Sequence, residues 1–392
     1  MPKTPPRCSL CTGQMKKNGT RNSRTRWRCK NCGASDTSHR PDITAKYHFT
    51  YFHKHVTGIY PMTDCAERMN VSVRTAYRYF KPLWLIEVPN NPDKHRVHDQ
   101  IFIDGTYTKS GCLLIATNGD NVLCWHWCQQ ETTHSYAQLL SKLTAPLCVV
   151  LDGGRGAQAA IKKLWPNTLI QRCLVHAQRV VRRYTTSRPR TDAGRDIYAL
   201  ALRLTQIDRI EDAREWTLDL HNYGVEYRDF LNEKTLNIKD RCGTGKRYEF
   251  THLRVRKAYN SLVNLQRKRH LFTYLTRPDA AMSDEKWASN TNQLEGGINS
   301  QLKFIARCHR GRGGERQRKM LEWWLHQQTP LPDDPHKIAR QQNWGKDQLA
   351  KVQVLTHNEN HTNHETGRPA LYDDAIPTEY NHSVGIRKGT IG

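Results

Sequence analysis

The feature that most limits the fold is the texture of residues 100–176, where short β-rich runs give way to strand–helix alternation. QIFIDGTYT, GCLLIATN and NVLCWHWCQQ are dense in aliphatic and aromatic residues and are separated by Ser110-Gly111 and Asn118-Gly119-Asp120. Such runs, punctuated by glycine-containing turns, predict three strands in an antiparallel meander, the last two forming a hairpin. SYAQLLSKL then reads as helix, LCVVLD as a buried strand, GAQAAIKKLWP as helix, and TLIQRCLVHA as strand passing into helix. A meander followed by alternation predicts a mixed sheet covered by helices.

Two carboxylates end apolar runs in this region. Asp104 closes IFID and precedes Gly105; Asp152 closes LCVVLD and precedes Gly153-Gly154. A lone Asp-Gly is ordinarily a turn. Two of them at strand ends in this order match the ribonuclease-H-like arrangement, with one acid on the first strand and another just after the fourth. The acids stand out because the chain is basic: 61 Lys and Arg against 37 Asp and Glu, a net charge of +24 over 392 residues. That balance predicts a polyanionic partner, nucleic acid ahead of a membrane surface. The length predicts two or three domains. No run is long enough to cross a bilayer and MPKTPPRCSLC has no apolar signal core, so a soluble cytoplasmic, nucleoid-associated protein is expected.

Twelve cysteines are present, several inside apolar runs (Cys112, Cys124, Cys128, Cys148), which fits a reducing compartment better than a disulfide framework. Cys8-x-x-Cys11 and Cys29-x-x-Cys32 have the spacing of a four-thiolate zinc ribbon over residues 1–40. Between the pairs, Arg24, Arg26 and Arg28 alternate around Trp27. A strand there would align them on one face, suited to phosphates. TDCAERMNVSVRTAYRYF reads as a helix over 63–69, a turn at 70–72 and a second helix from Val73, with Thr63 and Ser72 as N-caps. Ala66, Met69, Val71, Ala76 and Tyr77 would form its inner face. Arg74, Thr75, Arg78 and Tyr79 would project outward, as a helix-turn-helix within 41–95 requires.

The catalytic region is expected to begin at 96–180 and to be interrupted over 181–285 by a helical insertion rich in arginine. It resumes at 286–330, where Glu295 sits in TNQLEGG, followed by a partly flexible extension over 331–392. Asn292 and Glu295 also match a capping box, which alone would explain the glutamate. Gly296-Gly297 interrupts a helical apolar face of Leu294, Ile298, Leu302 and Ile305 at roughly 1 kcal/mol per glycine, which suggests that close access is needed there.

With Asp104, Asp152, Cys173-x-x-His176 and TNQLEGGINSQLK in view, the chain resembles mutator-type DDE transposases of bacterial insertion sequences, in the subgroup with an N-terminal zinc ribbon. The resemblance covers about residues 100–330, with residues 1–90 added by the ribbon and helix pair. It implies a multidomain α/β protein with a ribonuclease-H-like mixed sheet and a helical insertion. It also implies Asp104, Asp152 and Glu295 as ligands of two Mg²⁺ or Mn²⁺ ions, and cleavage and joining of DNA at the element ends. The family commonly has Arg after the motif's Glu, where this chain has Gly296. Cys173 and His176 make either half a metal site or a buried support, with His176 a candidate near the reacting phosphate. Further expectations are a structural zinc on Cys8, Cys11, Cys29 and Cys32, and DNA contacts from Arg182, Arg183, Arg310 and Arg312. Double-stranded terminal repeats and target DNA, homo-oligomers on DNA and no membrane complete the expected partners. A zinc-ribbon regulator without catalysis and a nuclease that does not join strands are the alternatives.

Overall fold

The computed structural model describes residues 5–6, 13–21, 24–37, 41–109, 111–236, 248–282, 286–291, 294–308 and 314–352. The chain divides into two units, 1–88 with 333–392, and 89–332.

In the first unit, β1 (Met15–Arg21), β2 (Arg24–Cys29) and β3 (Ser35–Thr37) form an antiparallel sheet in that order. Burial alternates along β2. Trp27 and Cys29 pack with Met15, while Arg24, Arg26 and Arg28 lie exposed on the other face. The period-2 geometry of a strand produces this sorting. α1 (Pro41–Val56), α2 (Met62–Arg68) and α3 (Val73–Phe80) follow. Asn70 takes a left-handed conformation (φ 52°) between α2 and α3, which Asn tolerates better than most residues. The Ser72 hydroxyl caps α3 by accepting the Thr75 N–H at 3.2 Å. Thr63 is not the cap of α2; that place falls to Pro61, which has no side-chain hydrogen bond to give. The inner face also differs from expectation. Ala66, Met69 and Ala76 are buried, but Tyr77 is exposed and Phe80 fills the core against Phe52. Residue 80 lies one turn beyond Ala76, so it continues that stripe. The helix Pro335–Gln341, within the expected C-terminal extension, packs against α1, with His336 edge-on to Phe49.

The second unit holds the mixed sheet. Its strands are β4 (Gln100–Thr108), β5 (Gly111–Thr117), β6 (Val122–Cys128), β7 (Cys148–Leu151) and β8 (Leu169–Arg172), in the order β6-β5-β4-β7-β8. β4, β5 and β6 are antiparallel; β4, β7 and β8 are parallel. α4 (Thr133–Leu140) and α5 (Arg155–Leu164) cover one face, where Tyr136, Leu139, Leu140, Ala157 and Ile161 pack on Ile101, Ile103, Leu114 and Val149.

Both edges of the sheet are occupied. On β6, the Asn90 side chain bonds the Trp125 N–H and C=O, and the Val122 N–H donates to Gln328 O at 2.9 Å. Along β8 runs a strap, residues 270–274: the Arg172 N–H donates to His270 O (2.7 Å), Gln171 Nε2 to Leu271 O (2.8 Å) and Thr273 Oγ1 to Ile170 O (2.8 Å).

From Leu174 the chain builds a helical body of α6 (Leu174–Thr185), α7 (Asp192–Arg203), α8 (Ile210–Glu226), α9 (Arg228–Asn232) and α10 (Leu253–Arg267) around a buried Trp216. Within the expected helical insertion the structure adds a two-stranded pairing, β9 (Lys234–Leu236) with β10 (Tyr248–Phe250). Its strands are only three residues each, too short for periodicity to reveal. The chain returns to the sheet through a π-helical turn at Leu294–Ile298, α11 (Asn299–Cys308) and α12 (Gly314–Gln327). Among the described residues, no helix is long and apolar enough to cross a membrane.

Candidate active site

Strand register brings the two aspartates together. Ile103 is opposite Leu151 and Leu151 opposite Arg172, so Asp104, Asp152 and Cys173 come next on three neighbouring strands, just where their parallel pairing ends. The expectation that Asp104 ends its strand is corrected: β4 runs on to Thr108 because its antiparallel pairing with β5 continues, and Asp104 lies mid-strand opposite Ile115. Parallel neighbours run roughly 4.8 Å apart. Asp104 and Asp152 are both half-buried. Asp104 Oδ1 accepts the Gly105 N–H at 2.9 Å, and Oδ2 accepts the amide of Asn299. Asp152 Oδ1 accepts the Gly154 N–H at 3.2 Å.

A third carboxylate joins them that the sequence reading passed over. Glu131 lies between β6 and α4, and a β-carbon on Gly105 would stand 2.7 Å from its carboxyl. A β-carbon on Gly154 would stand 3.9 Å from Glu131 Oε2 and 3.8 Å from Asp152 Oδ1, so both acids flank the same glycine. The Tyr136 hydroxyl donates to Glu131 Oε2 at 2.7 Å. Burial, then that hydrogen bond, then the charges of Glu131, Asp152 and Asp104 push the Tyr136 phenol far up. The phenol therefore stays protonated and holds Glu131 as a fixed donor. Glu131 directly precedes Thr132, whose hydroxyl caps α4. An acid beside a helix N-terminus reads as a favourable dipole contact, which conceals any other use.

Arg172 braces the Asp152 turn. Gly153 sits at φ 103°, and a β-carbon there would lie inside the Arg172 guanidinium. Arg172 is 8% exposed, and its guanidinium donates to Leu151 O at 3.5 Å. Burial pulls it below its ordinary value, and Asp152 is the first charge opposing that shift.

The segment carrying Glu295 is tied at both ends. At one end, buried Thr291 donates to the Cys173 sulfur from its N–H (3.4 Å) and hydroxyl (3.3 Å). At the other, Asn299 donates to Asp104. Residues 291 and 299, on either side of Glu295, are therefore held beside Cys173 after β8 and at Asp104 on β4, the two neighbours of β7. π-helical turns recur at functional sites, and this one includes Glu295, Gly296 and Gly297. A β-carbon on either glycine would meet nothing within 4 Å, so close packing does not impose them. The Glu295 side chain and Asn292, hence the capping box, lie outside the description.

The C-x-x-H pair belongs to this tie. Burial pushes the Cys173 thiol up, but hydrogen bonds from His176 and Thr291 outweigh it and hold the thiol below its ordinary value. A sulfur that accepts several N–H and O–H groups is a strut between β8 and residue 291.

Elsewhere, Arg74 and Arg78 are exposed on α3, and Arg182 and Arg183 on α6. Cys29 is buried and accepts the Asn31 N–H at 3.4 Å, and Cys32 is exposed. Cys8, Cys11, Arg310 and Arg312 lie outside the described residues.

Among the described residues, no three His, Cys, Asp or Glu side chains stand together so as to hold one metal ion. The donors on and beside β4 and β7 are nonetheless hard oxygens. Fully buried Asn299 turns its amide N–H to Asp104 and leaves Oδ1 without a partner among the described residues. An unfilled oxygen acceptor beside carboxylates fits a divalent cation of the Mg²⁺ class. No protein-family model matches the chain, and no curated protein matches it.

Proposed function

We propose that the chain is a DDE-type DNA transposase that cleaves and rejoins DNA strands at the ends of an insertion sequence. The observation that carries this reading is the placement of Asp104 on β4 beside Asp152 just after β7, with residues on either side of Glu295 tied to Asp104 and to Cys173 after β8.

Asp104, Asp152 and Glu295 would hold two Mg²⁺ or Mn²⁺ ions, with Asn299 Oδ1 as a further oxygen. Bound there, the ions would activate a water or a DNA 3′-hydroxyl and stabilise the leaving oxygen. The protein's own residues do the positioning. The Gly105 and Gly154 N–H groups and the Asn299 amide fix the two aspartates, and Arg172 locks the Asp152 turn. The Tyr136 hydroxyl aims Glu131. Cys173 and His176 act as positioning residues that seat Thr291. The resulting carboxylate-rich centre repels DNA phosphate unless cations neutralise it.

Cys8, Cys11, Cys29 and Cys32 would hold a structural zinc; the hydrogen bond to the Cys29 sulfur is one that a thiolate favours. The exposed row Arg24, Arg26 and Arg28 would follow phosphates, and α3 would present Arg74 and Arg78 to a groove as the second helix of a helix-turn-helix. Arg182 and Arg183, with Arg310 and Arg312, would extend the track along duplex DNA, on which two or more copies of the chain assemble.

The test incubates the protein with its element's DNA ends in Mg²⁺ or EDTA. Cleavage and strand joining are expected with Mg²⁺ only. Asp104→Asn and Asp152→Asn should each lower the rate by about 100-fold or more, since several kcal/mol of charge stabilisation are at stake. Wild-type joining in EDTA would refute the proposal.

A further inference from the structure

Glu131 is half-buried, and among the described residues no Lys, Arg or His forms an ion pair with it, although the chain carries a net charge of +24. Withdrawing a carboxylate from water without a cation is costly, and proteins resolve such a charge by pairing it or by giving it to a metal ion. The helix α4 does not need it as a cap. The Thr132 hydroxyl accepts the Ser135 N–H at 3.1 Å, while the Glu131 carboxyl turns to Tyr136 and to the space above Gly105.

Its oxygens are held in place but not filled. Oε2 accepts from the Tyr136 hydroxyl at 2.7 Å, and Oε1 has the Cys112 thiol at 4.0 Å. A thiol is a weak donor, so Oε1 keeps lone pairs to give. At the Gly154 turn, the three atoms nearest to where a β-carbon would stand, outside the adjoining residues, are all oxygens. They are Asp152 Oδ1 at 3.8 Å, Glu131 Oε2 at 3.9 Å and the Tyr136 hydroxyl at 4.0 Å.

An independent sign of a ligand comes from α11. Asn299 is fully buried and gives its amide N–H to Asp104, and its Oδ1 has no partner among the described residues. Spare oxygens therefore stand at both ends of the carboxylate group, beside Asp104 and beside Asp152. Among the described residues no three acids converge on one point, which suits two ions with no more than two carboxylates each. Mg²⁺ is commonly held by one or two carboxylates, with waters completing its shell. The neighbouring thiols do not turn the site toward a soft ion. Burial, then Cys128 and then Glu131, push the Cys112 thiol far up, and a protonated thiol is no metal ligand.

We propose that Glu131 is itself a metal-holding carboxylate that shares one Mg²⁺-class ion with Asp152, an inference that rests on the two-metal reading of the centre given above.

The experiment titrates Mn²⁺ into the full-length protein without DNA, so that no catalysis occurs, and follows the paramagnetic resonance signal of the free ion. Wild type should take up Mn²⁺. Glu131→Gln and Asp152→Asn should each weaken that binding about tenfold or more, since even groups that only support metal ligands are worth about 10–100-fold. Glu131→Asp keeps the charge but withdraws the oxygens by one methylene, and should weaken binding by a similar factor; it also preserves the test if Glu131→Gln fails to fold. Mn²⁺ affinity equal to wild type in either Glu131 variant overturns the proposal, even where Mg²⁺-dependent joining and its loss in Asp152→Asn uphold the strand-transfer reading. Conversely, a wild type that joins no strands yet loses Mn²⁺ affinity in both Glu131 variants would keep the ligand and lose the transposase.

Discussion

The space above Gly105 belongs to the Glu131 carboxyl, and the space above Gly153 to the Arg172 guanidinium. Each glycine thus lets a charged group approach the backbone next to Asp104 or Asp152, and substitutions there should separate the proposed chemistry from folding. Gly105→Ala is expected to push Glu131 aside and to lower strand joining at least about tenfold, as supporting groups around metal sites do, with little change in thermal melting. Gly153→Ala combines a positive φ with a collision at Arg172, so a loss of about 1–3 kcal/mol in urea unfolding is expected. An alanine variant as stable as wild type would show that the Arg172 brace yields freely. Asp104 and Asp152 were legible because each ends an apolar run at a glycine. Glu131, Arg172 and Asn299 were not, because they reach the aspartates from other elements, and nothing local distinguishes them from a cap, a strand end and a helical polar residue.

The strap along β8 and the strut at Cys173 make the parallel half of the sheet depend on distant segments. His270 opens the strap and is buried, and burial with the nearby Lys162, Lys268 and Arg172 charges lowers it to about 4. A histidine depressed when folded and near 6.5 when unfolded contributes stability that is complete above about pH 6.5 and lost as pH falls toward 4. His270→Gln should flatten that part of the curve when melting temperature is followed from pH 7 to pH 4; an unchanged slope would show that other groups govern it. Cys173→Ala and Thr291→Val are expected to couple in a double-mutant cycle by about 0.5–1.5 kcal/mol. At this scale the sequence spoke clearly where a cap or a strong period was present: the Ser72 cap and every strand of the large sheet lie where the residues put them. The π turn and the β9–β10 hairpin were invisible, since one needs tertiary anchors to exist and the other is too short to show a pattern.

At the scale of the molecule, the exposed arginines fall into both units: the β2 row and α3 in the first, α6 in the second. Binding to duplex DNA should therefore weaken steeply with salt. Arg182→Ala with Arg183→Ala should reduce the slope of log K against log salt by about one per phosphate contact removed. An unchanged slope would take α6 out of the DNA track. Charge balance is what points to a nucleic-acid partner; the division of the chain was not readable, because the C-terminal helix that packs on α1 is some 280 residues away in sequence and carries no signal of its destination. The occupied sheet edges have a separate consequence, for solubility. A strand from a neighbouring molecule would have to displace Asn90 from β6, or the His270 strap from β8, before it could add to the sheet. Native copies at high concentration are thereby protected from edge-to-edge aggregation, and acid, by charging His270, would remove that protection at β8 first.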